Sequence, residues 1–191
     1  DKVEEAAKLL GSAKNPMIVV GGGAQEAGQE VRRIAEMLEA PVCAHRMGRG
    51  VLDSRHHLSV TFPTGRRLWK DVDVVLGVGT RMQVHQQLWG TDADLKIIRV
   101  DLCPEELVRI RRPDIGIVGN AAPVLGALAD AVGKHNVKHA SRKDELDEIR
   151  AKTMQVLDGL RPQLDYVDAI RDALPEDGIF VDKLTQVSYV S

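Results

Sequence analysis

A glycine run directly after a short apolar segment is the first group of residues that could bind a ligand. Gly21, Gly22, Gly23 and Ala24 follow the apolar residues 17–20, and a segment of helical periodicity begins soon after. Such a loop presents backbone amides at a helix N-terminus, where they can hold an anion such as a phosphate. The same glycines would also serve a tight turn that binds nothing. Because the run lacks the full G-x-G-x-x-G pattern, both interpretations stay open.

Charged residues that could bind a ligand also gather around Asp101, which ends another apolar run. A carboxylate at a strand end can accept hydrogen bonds from both hydroxyls of a ribose, and it can also cap the helix that begins at Pro104. Glu105 and Glu106 are predicted to interact with the dipole of that helix and not to act as an acid–base pair. A basic cluster that follows is predicted to be a solvated face, with phosphate contact as the alternative; its members are Arg109, Arg111 and Arg112.

Histidine and cysteine occur in no combination that predicts a metal site. His56 and His57 are adjacent in a loop, and His135 and His139 have helical i, i+4 spacing. The further ligands that zinc requires are missing at suitable spacing, so we predict solvated histidines. Both cysteines lie in apolar runs, form no CxxC pair and are predicted to be buried free thiols in a reducing cytosol: Cys43 and Cys103.

The elements that must position these groups alternate along the chain. Strands that are apolar on both faces and separated by segments of helical periodicity predict a parallel sheet covered on both faces. Right-handed crossovers build such a sheet into a doubly wound α/β fold. Ligands of this fold bind at the carboxyl ends of the strands, so the candidate groups converge there. The predicted strands cover residues 17–20, 41–44, 72–78, 96–101 and 114–118.

The composition is that of an ordinary globular protein, with 43% hydrophobic and 28% charged residues and a formal net charge of −2. A nearly balanced charge gives no indication of binding to nucleic acid or to an anionic membrane. No apolar run approaches the ~18 residues that span a bilayer, and the charged residues 1–10 are unlike a signal peptide. We therefore expect a cytoplasmic protein. The absence of an initial methionine and the end at Ser191 in mid-pattern predict an excised piece of a longer protein.

Seven short motifs follow one another along the chain in a characteristic order. They are Asn15-Pro16; residues 21–24; Ala40-Pro41-Val42 with residues 47–50; residues 71–73 with Gly79-Thr80-Arg81; residues 97–101 with 104–107; Val118-Gly119-Asn120; and residues 174–182. Their order resembles that in acetolactate synthase and related thiamine-diphosphate enzymes. The resemblance implies a Rossmann-like sheet of about six strands with helices on both faces. The sixth strand is expected between Val51 and Val60.

The same resemblance divides the chain into three parts. Residues 1–135 would form the central, nucleotide-binding-like domain of such an enzyme. Residues 136–163 would be a linker with a helix over residues 143–157. Residues 164–191 would be the truncated start of the C-terminal domain that binds thiamine diphosphate, with a helix over residues 164–174 and a strand at residues 179–181.

The resemblance also implies that the chemical groups of the reaction lie in other domains. In the family the first domain supplies a glutamate that activates the thiamine ring, and the third carries a Gly-Asp-Gly and a downstream Asn that hold magnesium. Neither motif is in this sequence. We therefore expect thiamine diphosphate and magnesium in the full-length enzyme, no catalytic or metal-binding residue here, and no activity of this chain alone. The implied partners are the N- and C-terminal domains of the same subunit, in a homodimer or homotetramer.

The sequence differs from that of flavin-binding members of the family at positions that would contact the flavin nucleotide. Arg81 matches an arginine that lies along the flavin nucleotide, but Met82-Gln83-Val84-His85 follows it where flavin-binding members have Phe-Asp-Asp-Arg. Cys103 and Asn120 stand where those members have acids. We predict that FAD does not bind and leave an ADP-like nucleotide open. The residues that would hold it are Gly21, Gly22, Gly23, Ala24, Arg81, Asp101 and Asn120.

Two other functions stay open beside that of a central enzyme domain. One is an independent module that binds FAD, NAD or ADP, because the same sheet topology occurs in electron-transfer flavoproteins and NAD-dependent deacylases. The deacylases usually have a zinc-binding set of cysteines, which Cys43 and Cys103 cannot supply. The other is a purely structural spacer.

Overall fold

The computed structural model describes residues 1–137 and 139–181 and divides into two compact units. The first unit, Asp1–Asp147, contains a β-sheet and its helices; the second, Glu148–Ser191, is mainly helical in its described residues. Among the described residues, no helix is both long enough and apolar enough to cross a membrane.

All strands of the first unit belong to one parallel sheet. They are β1 (Pro16–Val20), β2 (Val42–Ala44), β3 (Ser59–Val60), β4 (Val74–Val78), β5 (Lys96–Asp101) and β6 (Ile115–Val118). Their order is β3-β2-β1-β4-β5-β6. This is the order of the doubly wound fold, in which the chain winds outward from the centre in both directions, so the predicted fold class is confirmed. The sixth strand, β3, lies at the end of the segment in which it was expected.

The two central strands are buried along their whole length, which explains their sequences. β1 and β4 consist of apolar residues at every position, and strands of this kind are stable only where helices cover both faces of the sheet. Carboxylates fix the amino ends of the neighbouring strands. Asp73 accepts the amides of Lys14 and Asn15 at 2.7 and 2.9 Å, and Asp114 accepts the amide of Ile97 at 2.8 Å.

Helices lie on both faces of the sheet, as expected. The helices of the first unit are α1 (Lys2–Gly11), α2 (Gly28–Leu38), α3 (Phe62–Trp69), α4 (Pro104–Val108) and α5 (Ala121–His135), with the start of α6 (Lys143–Leu157); the rest of α6 and α7 (Gln163–Ala173) belong to the second unit. The helices α1 and α2 both pack against α5. The connection from β1 to β2 runs through α2, and the connection from β5 to β6 runs through α4. The two connections move in opposite directions across the sheet, so right-handed crossovers place α2 and α4 on opposite faces.

The helix α3 shares its face of the sheet with α4. Cys43, Val19, Gly77 and Arg99 are successive register partners on the neighbouring strands β2, β1, β4 and β5. The side chains of Cys43 and Arg99 therefore point to the same face of the sheet. Cys43 packs under Gly65 of α3, and Arg99 donates hydrogen bonds to carbonyls of α4. A Cβ atom on Gly65 would lie 2.7 Å from the Cys43 sulfur, so the helix can approach the sheet only with glycine there. The helix α3 was not predicted from the sequence.

The second unit contains the end of α6 and α7, both helices that the sequence predicted. Arg161 forms ion pairs with Asp158 and Asp165 within this unit. The prediction of a strand at residues 179–181 is wrong for the structure described, because these residues pair with no strand there. A strand needs a neighbour for its backbone hydrogen bonds. Residues 182–191, the rest of the expected third domain, lie outside the described residues, and the predicted domain boundaries stay predictions.

Candidate functional site

The loops that follow β1 and β4 touch at the carboxyl edge of the sheet, with backbone packed on backbone. A Cβ atom on Gly21 would lie 2.4 Å from the carbonyl oxygen of Gly79, and one on Gly23 would lie 2.8 Å from the Gly79 Cα. Gly79 itself has a φ angle of +54°, a left-handed conformation that favours glycine. These glycines are therefore required by the close approach of two loops, whether or not a ligand binds.

The amides of the glycine run are mostly used within the protein. Gly21 donates to the carbonyl of Val78 at 3.0 Å, Gly23 to Gly79 at 3.1 Å and Ala24 to Gly21 at 3.1 Å. A 3₁₀ helix, Gly22–Ala27, starts at this loop, and α2 begins only at Gly28. The run thus lies before a short 3₁₀ helix and not directly at the N-terminus of α2. The tight turn accounts for these contacts, and anion binding here stays a prediction.

Arg81 and Arg109 meet at one carboxylate on the same edge. Glu106 lies with Oε2 3.1 Å from Nε of Arg81 and Oε1 2.6 Å from Nη2 of Arg109. The Glu106 side chain is 13% exposed, whereas the two arginines are 64% and 59% exposed. This ion pair gives Arg81 a partner within the protein. It also gives Glu106 a role beyond that of a first-turn residue of α4.

Arg99 is a buried cation that the sequence analysis missed. Its side chain is 1% exposed, and its guanidinium donates to the carbonyls of Glu106 at 2.6 Å, Leu107 at 3.1 Å and Thr80 at 2.8 Å. Burial lowers the pKa of Arg99, and the carboxylates of Asp101 and Glu106 oppose that shift. The group therefore ties the loop after β4 to α4. The available signal was a lone arginine inside an apolar strand.

Asp101 stabilises the turn after β5 and does not cap α4. Its carboxylate accepts the amide of Cys103 at 3.0 Å and lies 3.9 Å from the Arg99 guanidinium. Cys103 is the N-cap residue of α4, so the predicted capping role of Asp101 is wrong. The reason is that two residues, Leu102 and Cys103, separate Asp101 from Pro104, the first residue of the helix. The Asp101 side chain is 16% exposed at the strand end, and its binding of a ribose stays a prediction.

The two cysteines have different environments. Cys43 is buried, as predicted, and burial raises the pKa of its thiol to about 12. Cys103 is only half-buried, so the prediction of a buried thiol is wrong there. It lies past the end of β5, and its Sγ donates to Oε2 of Glu105 at 3.0 Å. Asn120 caps α5 and accepts the amide of Ala122 at 3.4 Å, a structural role that leaves its use by a ligand a prediction.

The adjacent histidines are paired, which corrects the prediction that they are solvated. His56 lies 3.1 Å from Glu36 and His57 lies 3.3 Å from Glu39, and the His56 side chain is only 12% exposed. The segment before β3 folds over the end of α2, which brings these partners together. In the described part of the chain, no three His, Cys, Asp or Glu side chains are grouped so that they could hold a metal ion.

His85 lies inside a cluster of aromatic rings and is a further residue whose burial the sequence did not reveal. A π-helix, His85–Trp89, places its ring 4.3 Å from Trp89 and 5.4 Å from both Phe62 and Trp69, measured between ring centroids. The residue is fully buried, and neither ring nitrogen has a hydrogen-bond partner. Burial is the main reason that the pKa of His85 is lowered to about 3, so the ring is neutral at neutral pH.

Comparison with known proteins identifies the family. Residues 3–128 match the model of the central domain of thiamine pyrophosphate enzymes, which is more than half of the chain. The chain therefore belongs to this family, and the resemblance to acetolactate synthase-like enzymes is confirmed.

Curated relatives agree with the family. The chain is 37% identical over 134 residues to a 2-hydroxyacyl-CoA lyase of Arabidopsis thaliana, an alignment that covers 66% of this chain and 23% of the relative. It is 32% identical over 182 residues to a sulfoacetaldehyde acetyltransferase of Roseovarius nubinhibens, covering 86% and 30%. An acetolactate synthase of Mycobacterium bovis is 30% identical over 146 residues, covering 71% and 24%. The chain thus spans at most about a third of the length of these relatives.

Proposed function

We propose that this chain is the central domain of a thiamine-diphosphate-dependent enzyme that forms or cleaves carbon–carbon bonds of 2-oxo acids. Its family membership supports this, because the relatives include lyases, synthases and decarboxylases. The domain would hold the N- and C-terminal domains of the same subunit in register, in a cytoplasmic homodimer or homotetramer. Thiamine diphosphate and magnesium would bind to those domains, so this chain performs no catalytic step of its own.

We further propose that the carboxyl edge of the sheet binds an adenine nucleotide that carries a diphosphate, and not FAD. One observation carries this proposal: among the described residues, three guanidinium groups pair with two carboxylates at the edge where doubly wound sheets bind ligands. The three cations are Arg81, Arg99 and Arg109. Asp101 would accept the ribose hydroxyls at this edge. The missing acids at Cys103 and Asn120 would each contribute a charge-assisted hydrogen bond of ~1.5–3 kcal/mol, and their loss disfavours flavin.

Calorimetric titration with ADP and with FAD tests this proposal, after an absorbance scan of the purified protein near the flavin bands. We expect no flavin bands, saturable ADP binding, and ADP affinity weakened about 10- to 100-fold by Asp101→Ala, since one to two charged hydrogen bonds are lost. The matched control is Asp130→Ala, which removes an exposed acid of α5 that pairs with Arg33. It should leave ADP affinity unchanged. Yellow protein with stoichiometric flavin would contradict the proposal.

A purely structural spacer is the second candidate, and a specific observation favours it. The glycine-run amides and Arg81 already have partners within the protein. A spacer gives no saturable heat with ADP, and Asp101→Ala then changes only thermal stability. The match to a central-domain family argues against an independent nucleotide-binding module, and so do relatives in which the matching region is only 23% of the length.

A further inference from the structure

Glu106 places a negative charge between two exposed arginines at the edge where the nucleotide is proposed to bind. Its two carboxylate oxygens face different arginines, with Oε2 near Arg81 and Oε1 near Arg109. This is the arrangement in which two arginines would hold the neighbouring phosphates of a diphosphate, since guanidinium groups recognise carboxylates and phosphates with the same geometry. The side chain of Glu106 thus imitates the charge of such a ligand.

The backbone and the side chain of Glu106 are held with different strength. Its carbonyl oxygen accepts the buried Arg99 guanidinium at 2.6 Å, which fixes the position of the residue in α4. Its Oε2 atom is buried, yet it has no well-aligned hydrogen bond, although Arg81 lies 3.1 Å away. The contact between Glu106 and Arg81 is therefore an electrostatic attraction without a well-aligned hydrogen bond. A stronger anion can replace the carboxylate without disturbing the backbone.

We propose that Arg81 and Arg109 form the diphosphate subsite of this protein, and that Glu106 occupies the subsite as an internal competitor when no ligand is bound. The proposal rests on the proposed nucleotide binding and adds Arg109 and Glu106 to it. A diphosphate offers each arginine its own phosphate oxygens and displaces the carboxylate from both. Adenosine has no charged group for the subsite, so Glu106 does not affect its binding.

Substitution of Glu106 separates competition from general effects of charge. In Glu106→Gln the amide keeps the shape of the side chain but no longer neutralises the two arginines. We expect the affinity for ADP and for inorganic pyrophosphate to rise about tenfold, which corresponds to ~1.4 kcal/mol. The affinity for adenosine stays unchanged. Glu105→Gln is the matched control, because Glu105 is an exposed neighbour that contacts Cys103 and neither arginine.

A second variant keeps the test independent of how well Glu106→Gln folds. Arg109 is 59% exposed and pairs with Glu106, so Arg109→Met does not disturb the core. It should weaken pyrophosphate binding at least tenfold. Arg112→Met, which removes an exposed charge from the same basic cluster, should change that binding less than twofold.

Calorimetry in phosphate-free buffer, with a melting curve for each variant, distinguishes the outcomes. If wild-type protein binds ADP in an Asp101-dependent way but Glu106→Gln behaves like Glu105→Gln, the competitor role is wrong and the nucleotide proposal stands. If pyrophosphate binds more tightly to Glu106→Gln while ADP binds to neither protein, the subsite stands and the nucleotide proposal fails. If neither probe binds to wild type or to Glu106→Gln, both proposals are overturned.

Discussion

His85 and Arg99 are both buried polar side chains, and their surroundings satisfy them differently. Arg99 donates to three backbone carbonyls and so ties the loop after β4 to α4, although its Nε atom has no hydrogen-bond partner. His85 has aromatic neighbours and no hydrogen-bond partner on either ring nitrogen. An unpartnered buried polar group costs about 1–3 kcal/mol, and such groups are retained mainly where function requires them. At the scale of single residues, Arg99 stabilises the domain and His85 destabilises it.

Replacing His85 with phenylalanine should therefore stabilise the protein. We expect His85→Phe to raise the free energy of unfolding by about 1–2 kcal/mol at pH 7, because the aromatic packing is kept and the unpartnered nitrogens are removed. Chemical denaturation with circular dichroism measures this change. The control is His56→Phe, which should lose stability because the ring of His56 contacts Glu36 and accepts the amide of Leu58. Equal effects of the two substitutions would contradict the explanation.

The pH dependence of stability provides a second prediction for His85. Burial lowers the pKa of His85 from 6.5 to about 3, so below pH 6.5 the unfolded chain takes up a proton that the folded chain does not. The folded state therefore pays no penalty for excluding this proton above pH 6.5, and it loses stability as the pH falls from 6.5 towards 3, by up to about 1.4 kcal/mol per pH unit. Denaturation curves between pH 7 and pH 4 should show this slope in wild type and a smaller one in His85→Phe. An unchanged slope would mean that His85 is solvated.

At the scale of elements, the contact between the loops after β1 and β4 fixes the carboxyl edge. Gly79 has a left-handed φ angle, and a Cβ atom there would lie 2.4 Å from the backbone of Gly23. Two independent constraints thus act on one residue. The edge that presents Arg81 depends on this packing, because Arg81 follows Gly79 by two positions.

Two glycine-to-alanine substitutions test this packing with opposite expected signs. Gly79→Ala should destabilise the protein by about 3 kcal/mol or more, because the added methyl group overlaps backbone and the φ angle is unfavourable. Gly126→Ala lies within α5 with nothing within 4 Å of the added methyl group, and it should stabilise the protein by up to ~1 kcal/mol through helix propensity. Melting temperatures of the two variants check both signs. A stable Gly79→Ala protein would show that the loops can separate.

At the scale of the whole molecule, family membership and local chemistry point to a division of labour. The chain belongs to the central-domain family, and its described residues contain no group of side chains that could hold a metal ion. The relatives are about three to four times longer than the matched region. The enzyme reaction is therefore assigned, as a proposal, to domains beyond this chain.

This division of labour predicts that the chain alone has no thiamine-diphosphate chemistry. We expect no decarboxylation of pyruvate in the presence of added thiamine diphosphate and magnesium, since the activating glutamate and the magnesium motif are absent from the sequence. Release of carbon dioxide, measured against a full-length acetolactate synthase as positive control, checks the prediction. Turnover above the protein-free background would overturn it.

The sequence by itself determined the class of fold and the order of its main strands along the chain. β1 and β4 are apolar runs followed by glycines, and each of these signals lies within one short segment of the sequence. The strand β3 could be predicted only to lie somewhere between Val51 and Val60, because two residues are too few to show the alternation of apolar and polar positions that marks a strand. In parallel sheets, ligands bind at the carboxyl ends of the strands, and this rule predicted that Arg81 and Asp101 lie at that edge.

Only the tertiary structure decided which groups meet. Arg81 lies in the loop after β4 and Glu106 lies in α4, which follows β5. Arg99 donates to the carbonyl of Glu106 in α4 and to that of Thr80 after β4. His85 is buried because α3, which has no clear helical signal in the sequence, brings Phe62 and Trp69 against it. Periodicity and turn residues are encoded locally, within a few positions of the chain. Ion pairs, burial and pKa shifts depend on residues that are distant in sequence, and these become neighbours only when the sheet is assembled.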